Sequence, residues 1–561
     1  MSSKQNIVDI EQHGLKQYDI KVSTVVFMIF CLVAAGCYGI EEMIPSAGPG
    51  LTLIMLVVIP FVWGLPFGLV ASELGSVRPQ EGGYYKWVQE ALGEFWGFQA
   101  GWWRTISIYI DNASYVILAG GYAATAWGFS KPVEFAIKMA MILIFTYINL
   151  RGVKDVGIAS TILSLLVIVA FGMVAVCGFL NWGEGFNISF QLTPEPAKDA
   201  MDWFFYIVGG LSVGLWMYSG YESMSTIAGE IKNPQVIPKG TLITIPLIMA
   251  VYILPTTAGL GSMGRWTEWA PEGGVGYADV VQTFWGQGFA IFFVIVAILA
   301  QCSIYNTYIA SGSRGFFSLS DDYLAPKFLV KCDKKYGVPY VAVMTVAISN
   351  VLMCMLPFGL VIILDVFLLA ASYVLVFISA MILRKRIPGE EYKFKTPGGY
   401  GFLCLICIIP ICVAVFMFFV NGSDYLIGGI IGMLTGPILY FFWKRKYGGL
   451  AMKDAKRFPI NPKTKLAVGD LRKVSFLLLL LTIIGAIALA FLPFYEASWT
   501  AGDYYQGMFV DKFAGSDSAQ FAGGRFIFNI TYTILKALTG ICAVLTVVSA
   551  IASKKLEPKK K

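Results

Sequence analysis

Along this chain, long apolar runs alternate with short polar breaks. A helix needs about 20 mainly apolar residues to cross a bilayer. Runs of that kind fall at 22–44, 50–74, 95–127, 133–150, 155–180, 201–230, 239–262, 286–312, 341–357, 359–383, 402–420, 423–443, 474–493 and 525–552. The pattern predicts an all-α polytopic membrane protein with about 14 transmembrane helices. Two runs carry a weak point at mid-depth. The first reads AAGCYGIEEMIP over 34–45, with Gly36 and Gly39; the sixth reads WMYSGYESMSTIAGE over 216–230, with Ser219 and Gly220. Interruptions at corresponding depths, five helices apart, predict a 5+5 inverted repeat that binds its solute where the helices break.

Composition supports this picture. The chain is 57% hydrophobic and 14% charged, with a mean hydropathy of +0.69, which excludes a soluble multidomain protein. Most of the 42 lysines and arginines fall on alternate connections, in clusters such as RKR at 384–386, KRK at 444–446 and the tail KKLEPKKK. By the positive-inside rule those connections, and both termini, are expected in the cytoplasm. The net charge of +7 therefore follows from topology, and no nucleic-acid partner is expected. The expected division is a tail over 1–21, a ten-helix transport core over 22–384, two helices over 385–443, a basic loop over 444–473, two further helices over 474–552 and a basic tail over 553–561. No small-residue cleavage site follows the first run, so no cleaved signal peptide is expected.

Several chemistries are excluded. The sole histidine, His13, lies in the polar N-terminal tail, so no histidine metal site or triad is expected. The ten cysteines are scattered, and CLIC at 404–407 sits in an apolar helix, where packing is the expected role. No phosphate-binding G-x-x-x-x-G-K-[ST] segment is present. The expectation is a non-enzyme without cofactor or metal.

What remains is binding chemistry at the breaks. Unwound backbone offers N–H groups to a carboxylate and carbonyls, with helix C-termini, to an ammonium group. The first run supplies Ala35, Gly36, Tyr38, Gly39 and Glu41; the sixth supplies Trp216, Ser219, Gly220, Tyr221 and Glu222. Asp111 and Tyr115 lie mid-run in TISIYIDNASYV of the third. A carboxylate in hydrocarbon is costly, so each acid demands a reason. Glu41 and Glu42 read either as a helix end facing outer water before Pro45 or as cavity lining. Asp111 reads either as the partner of Arg104, two turns earlier, or as the counter-charge of a bound amine. Glu222 reads as structural or as an acid near the cavity, at the place in the sixth run equivalent to that of Glu41. Tyr and Trp neighbours can supply cation–π contacts. An amino acid needs carboxylate and ammonium recognition; a polyamine needs separated anions, and Glu41, Asp111 and Glu222 favour amines. No repeated filter segment of a channel is present.

These segments also carry a resemblance. LPFGLVASELGSVRPQEGGYYKWVQEALGEFWGFQAGWW at 65–103, GYESMSTIAGEIKNPQVIPKG at 220–240 and GIEEM at 39–43 resemble the amino acid–polyamine–organocation (APC) superfamily, within it most of all the polyamine and amino-acid uptake permeases. The resemblance spans about residues 20–450. It implies a LeuT-type fold and a secondary transporter, proton-coupled or an exchanger, with a transport-inactive sensor as the remote alternative. Gly36–Gly39 would match the unwound solute-binding stretch and Ser219–Glu222 its partner, with an acid at Glu222, and with it Glu41, expected to serve proton coupling or gating. The implied partners are a small-molecule substrate, a proton or counter-substrate, and the bilayer. The chain departs from the common pattern in its two additional helices, in Lys536 within an apolar run, and in lacking a mid-membrane lysine in the fifth helix.

Overall fold

The computed structural model describes residues 15–34, 38, 40–183, 192–198, 200–264, 266–269, 276–356, 358–498 and 525–557. All fourteen apolar runs are helical among these residues. Ten helices are long and apolar enough to cross a membrane as single elements. The chain is an all-α polytopic membrane protein.

The first run is α1 (Val22–Val33) followed by the short α2 (Ile40–Ala47). The second, Pro49–Val77, consists of α3 (Pro49–Ile59), one π turn (Pro60–Gly64) and α4 (Leu65–Val77). Pro60 and Pro66 lack the N–H of the α ladder, and the wider turn absorbs the mismatch. Then come α5 (Tyr84–Leu92), α6 (Glu94–Trp127), α7 (Lys131–Leu150), α8 (Val153–Leu180) and α9 (Ala200–Met217). Residues Tyr221–Glu230 form a 3₁₀ helix, and α10 (Val236–Met263), α11 (Tyr277–Trp285) and α12 (Gln287–Asp321) follow. The remaining elements are α13 (Tyr340–Met353), α14 (Phe358–Arg386), α15 (Gly399–Val420), α16 (Ser423–Tyr447), α17 (Asp470–Ser498) and α18 (Arg525–Leu556).

At the centre, α6 packs along both α12 and α14. A Cβ on Gly312 of α12 would stand 2.8 Å from Ile108 of α6, so the missing side chain lets the two backbones close. Polar side chains tie α6 to α13 as well: Asn112 Nδ2 donates to Asn350 Oδ1 at 3.1 Å, and Asn350 Nδ2 donates to the Tyr109 carbonyl at 2.8 Å. With no water in hydrocarbon, such groups must pair with each other.

The end of the molecule that carries the basic segments is tied by ion pairs. Glu94 takes Lys444 Nζ at 2.6 Å and the Leu450 N–H at 2.8 Å; Arg78 pairs with Glu90 at 2.8 Å and Glu391 at 2.9 Å. Asp322, just beyond α12, accepts from Lys86 at 2.6 Å and Gln89 at 2.8 Å, with Lys453 at 3.1 Å. Burial alone would raise the Asp322 carboxyl, but Lys86 and Lys453 hold it below the usual range, aided by hydrogen bonds from Lys86 and Tyr85. The loop before α5 brings in Glu81, whose Oε2 accepts the Gly229 N–H at 3.0 Å. Arg314 grips Glu230 with two nitrogens, at 2.6 and 3.1 Å, beside it.

α17 and α18 pack chiefly on each other. Glu557, past the end of α18, accepts the Gly469 and Leu471 N–H groups at 3.0 Å each and so caps the start of α17. Lys536 is exposed on α18.

Candidate functional site

The two interruptions meet. α1 stops at Val33 and α9 at Met217, and Tyr252 of α10 places its hydroxyl 3.1 Å from the Val33 carbonyl and 3.0 Å from that of Met217. Gly220 adopts φ +110, and a Cβ there would stand 2.6 Å from the Leu32 carbonyl oxygen. Only glycine allows this approach of one broken helix to the other. The Gly220 N–H is satisfied by the Tyr373 hydroxyl of α14 at 3.1 Å. The C-terminal, electronegative ends of two helices thus converge on one point.

Beyond the break, the sixth run continues as a 3₁₀ helix and not as the second α-helical half that the sequence pattern suggests. Its serines and threonines explain the winding. Ser225 Oγ donates to the Glu222 carbonyl at 2.5 Å and Thr226 Oγ1 to that of Ser223 at 2.7 Å, both three residues back. Such bonds compete with the α ladder.

A cavity opens at the convergence, lined by Val33, Tyr38, Arg104, Asp111, Tyr115, Trp216, Ser219 and Tyr308 among others. Its free space, about 30 Å³ for the centres of water molecules, admits roughly two or three of them. Tyr115 lies nearly parallel to Trp216 (centroids 6.3 Å apart, 16° between planes) and to Tyr308 (6.0 Å, 13°). Tyr38 packs edge-on against Phe171 at 5.2 Å.

Asp111 is buried on α6, one turn before Tyr115, whose hydroxyl donates to its Oδ2 at 3.1 Å. It does not take Arg104. That guanidinium turns to Glu222, donating from Nε to Oε1 at 2.6 Å, from Nη2 to Ser223 at 3.0 Å and from Nη1 to Ser107 at 3.1 Å. Tyr373 donates to the other oxygen of Glu222 at 2.9 Å. Arg104 also lies over the rings of Tyr308 and Tyr373, at 5.8 and 5.9 Å. Glu222 stands behind the cavity wall as the anchor of Arg104, while Arg104 itself lines the cavity.

The site residues expected from sequence therefore separate. Tyr38, Asp111, Tyr115, Trp216 and Ser219 line the cavity, and Gly220 shapes it. The Ser219 hydroxyl is held by Trp63 Nε1 at 2.9 Å and by the Leu215 carbonyl at 2.7 Å. Tyr221 faces Gly64 of the π turn and is not part of the lining. Glu41 is placed elsewhere in this structure. It is buried with Oε1 3.1 Å from the Tyr277 N–H, so it sits at the N-terminus of α11, where the helix dipole favours a carboxylate. Ala35, Gly36 and Gly39, with His13, lie outside the described residues, as does the Glu42 side chain. Among the described residues no cluster of potential metal ligands occurs.

Three contributors escape the sequence reading, Tyr252, Tyr308 and Tyr373, and so does a buried acid outside the lining, Asp365. The three tyrosines carry no signal in a chain with 28 of them. Asp365 does, as an acid inside the apolar run VIILDVFLL.

Comparison with known proteins agrees with this architecture. The family model described as amino acid permease matches residues 20–426. A probable polyamine transporter of Arabidopsis thaliana is 29% identical over 447 residues, covering 76% of this chain and 85% of its own length. The polyamine transporter PUT1 of Oryza sativa subsp. japonica is 28% identical over 466 residues, with 79% and 81% covered. The serine/threonine exchanger SteT of Bacillus subtilis (strain 168) is 23% identical over 394 residues, with 68% and 86% covered. Matched over most of its length, with the broken helices and the cavity between them inside the matched region, the chain belongs to the amino acid permease family of the APC superfamily.

Proposed function

We propose that this permease carries small solutes bearing an ammonium group, polyamines or cationic amino acids, by proton-coupled alternating access. One observation carries the reading: the C-terminal ends of α1 and α9, the carboxylate of Asp111 and a stack of three aromatic rings converge on one cavity. Helix C-termini and a carboxylate attract a cation, and ring faces add cation–π attraction. The relatives named as polyamine transporters point the same way. The basic end, with both termini, faces the cytoplasm on this reading, in keeping with the positive-inside rule. Arg104 and Glu222 bind the third, sixth and tenth runs together at the cavity floor, so that loading the cavity is felt by all three. Exchange of one solute for another is the competing mode.

The test is uptake of labelled putrescine and labelled leucine into proteoliposomes, each with and without an inward pH gradient. Putrescine uptake that changes with the gradient, and is reduced at least about tenfold in Asp111→Asn, is the expected result. Leucine uptake that putrescine does not inhibit, unchanged in Asp111→Asn, would overturn the amine reading. Uptake that needs internal solute instead of a proton gradient would assign exchange.

A further inference from the structure

Asp365 is used by nothing described so far. It lies in α14, 2% exposed, and its Oδ1 accepts the hydroxyl hydrogen of Ser107. Ser107 Oγ also accepts from Arg104 Nη1 at 3.1 Å, so the one hydroxyl links the guanidinium to Asp365. Arg104 is committed to Glu222 at 2.6 Å. Asp111 stands one turn beyond Ser107 on the same face of α6, and its charge acts directly on Asp365. Leu369, one turn further along α14, lines the cavity. The charged and titratable groups facing Asp365 are Arg104, Asp111 and Tyr115, all from α6; the helices on its other sides, α4, α5, α15 and α16, add none among the described residues.

The charge count follows. One guanidinium serves three enclosed carboxylates, Glu222, Asp111 and Asp365. Glu222 takes the guanidinium. The other two would leave a double negative charge in a low-dielectric core, which is too costly to persist. Each must hold a proton or face a cation.

We propose that Asp365 is the second cation-reading carboxylate of the site and the determinant of its preference for dicationic over monocationic amines. The inference rests on the amine reading given above. In the unloaded site Asp111 and Asp365 each hold one proton, that of Asp365 on Oδ2, since Ser107 occupies Oδ1. A solute with two ammonium groups replaces both protons, which pass to water on the open side, and the core again carries no net charge. A monoamine replaces one proton and leaves Asp365 neutral. Asp365 thereby sets how many positive charges a loaded site accepts.

The experiment counts protons. Isothermal titration calorimetry on the purified full chain, in two buffers of different ionisation enthalpy, gives the protons released on binding putrescine and on binding n-butylamine. Wild type is expected to release about one more proton with putrescine than with butylamine. Asp365→Asn abolishes that difference and weakens putrescine about tenfold or more, while butylamine affinity changes less than about twofold. Asp365→Glu restores the difference. Should Asp365→Asn fail to fold, Ser107→Ala, which removes the hydroxyl's bonds to Asp365 and Arg104 and leaves both carboxylates in place, is expected to narrow it. An Asp365→Asn or Ser107→Ala protein with the wild-type proton count and amine preference makes Asp365 structural and overturns the inference. If wild type binds neither amine, the functional reading falls, and this inference with it.

Discussion

At the scale of single residues, the Arg104–Glu222 pair shows why a buried ion pair is a commitment more than a gain. Both side chains are 1% exposed, so each pays a large desolvation cost that only its partner offsets. Arg104→Met strands Glu222 and is expected to lower stability by about 3–5 kcal/mol, whereas the double variant Arg104→Met, Glu222→Leu recovers most of the loss. Thermal unfolding of both proteins in detergent checks this; equal losses would mean that the pair acts through Ser107 and Tyr373 instead. The sequence made Asp111 visible, because an acid in an apolar run has few innocent explanations. It did not show which acid takes Arg104. Helical periodicity offered Asp111, two turns away, and nothing local announces a partner 118 positions later in the chain. Glu41 was equally illegible. Its direction depends on where the helix resumes after the break and on α11, whose Tyr277 N–H lies 236 positions away.

At the scale of elements, the helices and both interruptions were legible, since bilayer-length apolar runs and mid-run glycines are strong local signals. The 3₁₀ winding after Gly220 was not; it depends on hydrogen-bond choices that serine and threonine make only once neighbours are in place. The loop before α5 seals against this 3₁₀ segment, and the seal responds to pH. Burial, then the neighbouring Glu230, raises the Glu81 carboxyl well above its ordinary value, against the pull of Arg314 and the Gly229 N–H. Forming the seal therefore takes up a proton. Its contribution is complete below the ordinary carboxyl range and is lost as pH rises through the raised value. Asp322, held low, does the reverse: its contribution is present above the ordinary range and lost only in strong acid, so it stays constant near neutrality. The prediction is that stability falls as pH rises between about 5 and 8, and that Glu81→Gln flattens this slope. Unfolding midpoints across that range decide it, and an unchanged slope in Glu81→Gln would assign the pH response to another group.

At the scale of the whole molecule, the family match ends at residue 426, and α17 and α18 lie beyond it. In the membrane-length windows of these two helices only 33% and 11% of residues are buried, the lowest values among the ten membrane-length helices. A chain ending after residue 473 is expected to keep the cavity, binding putrescine within about twofold of the full chain, and to lose stability only by the few contacts the pair makes with α15 and α16. Binding lost together with a monodisperse elution profile would instead assign the pair a part in the transport core. The 3₁₀ segment matters at this scale too, because it joins the cavity to the basic end: it starts beside Gly220 and finishes at Glu230, in the grip of Arg314. Ten residues wound at 2.0 Å per residue span roughly 20 Å, and the same ten as an α-helix roughly 15 Å. The segment thus stores about 5 Å of travel. Rewinding it would draw in the far end by about the height of one α-helical turn, a stroke that would either part Glu230 from Arg314 and Gly229 from Glu81 or carry those partners with it.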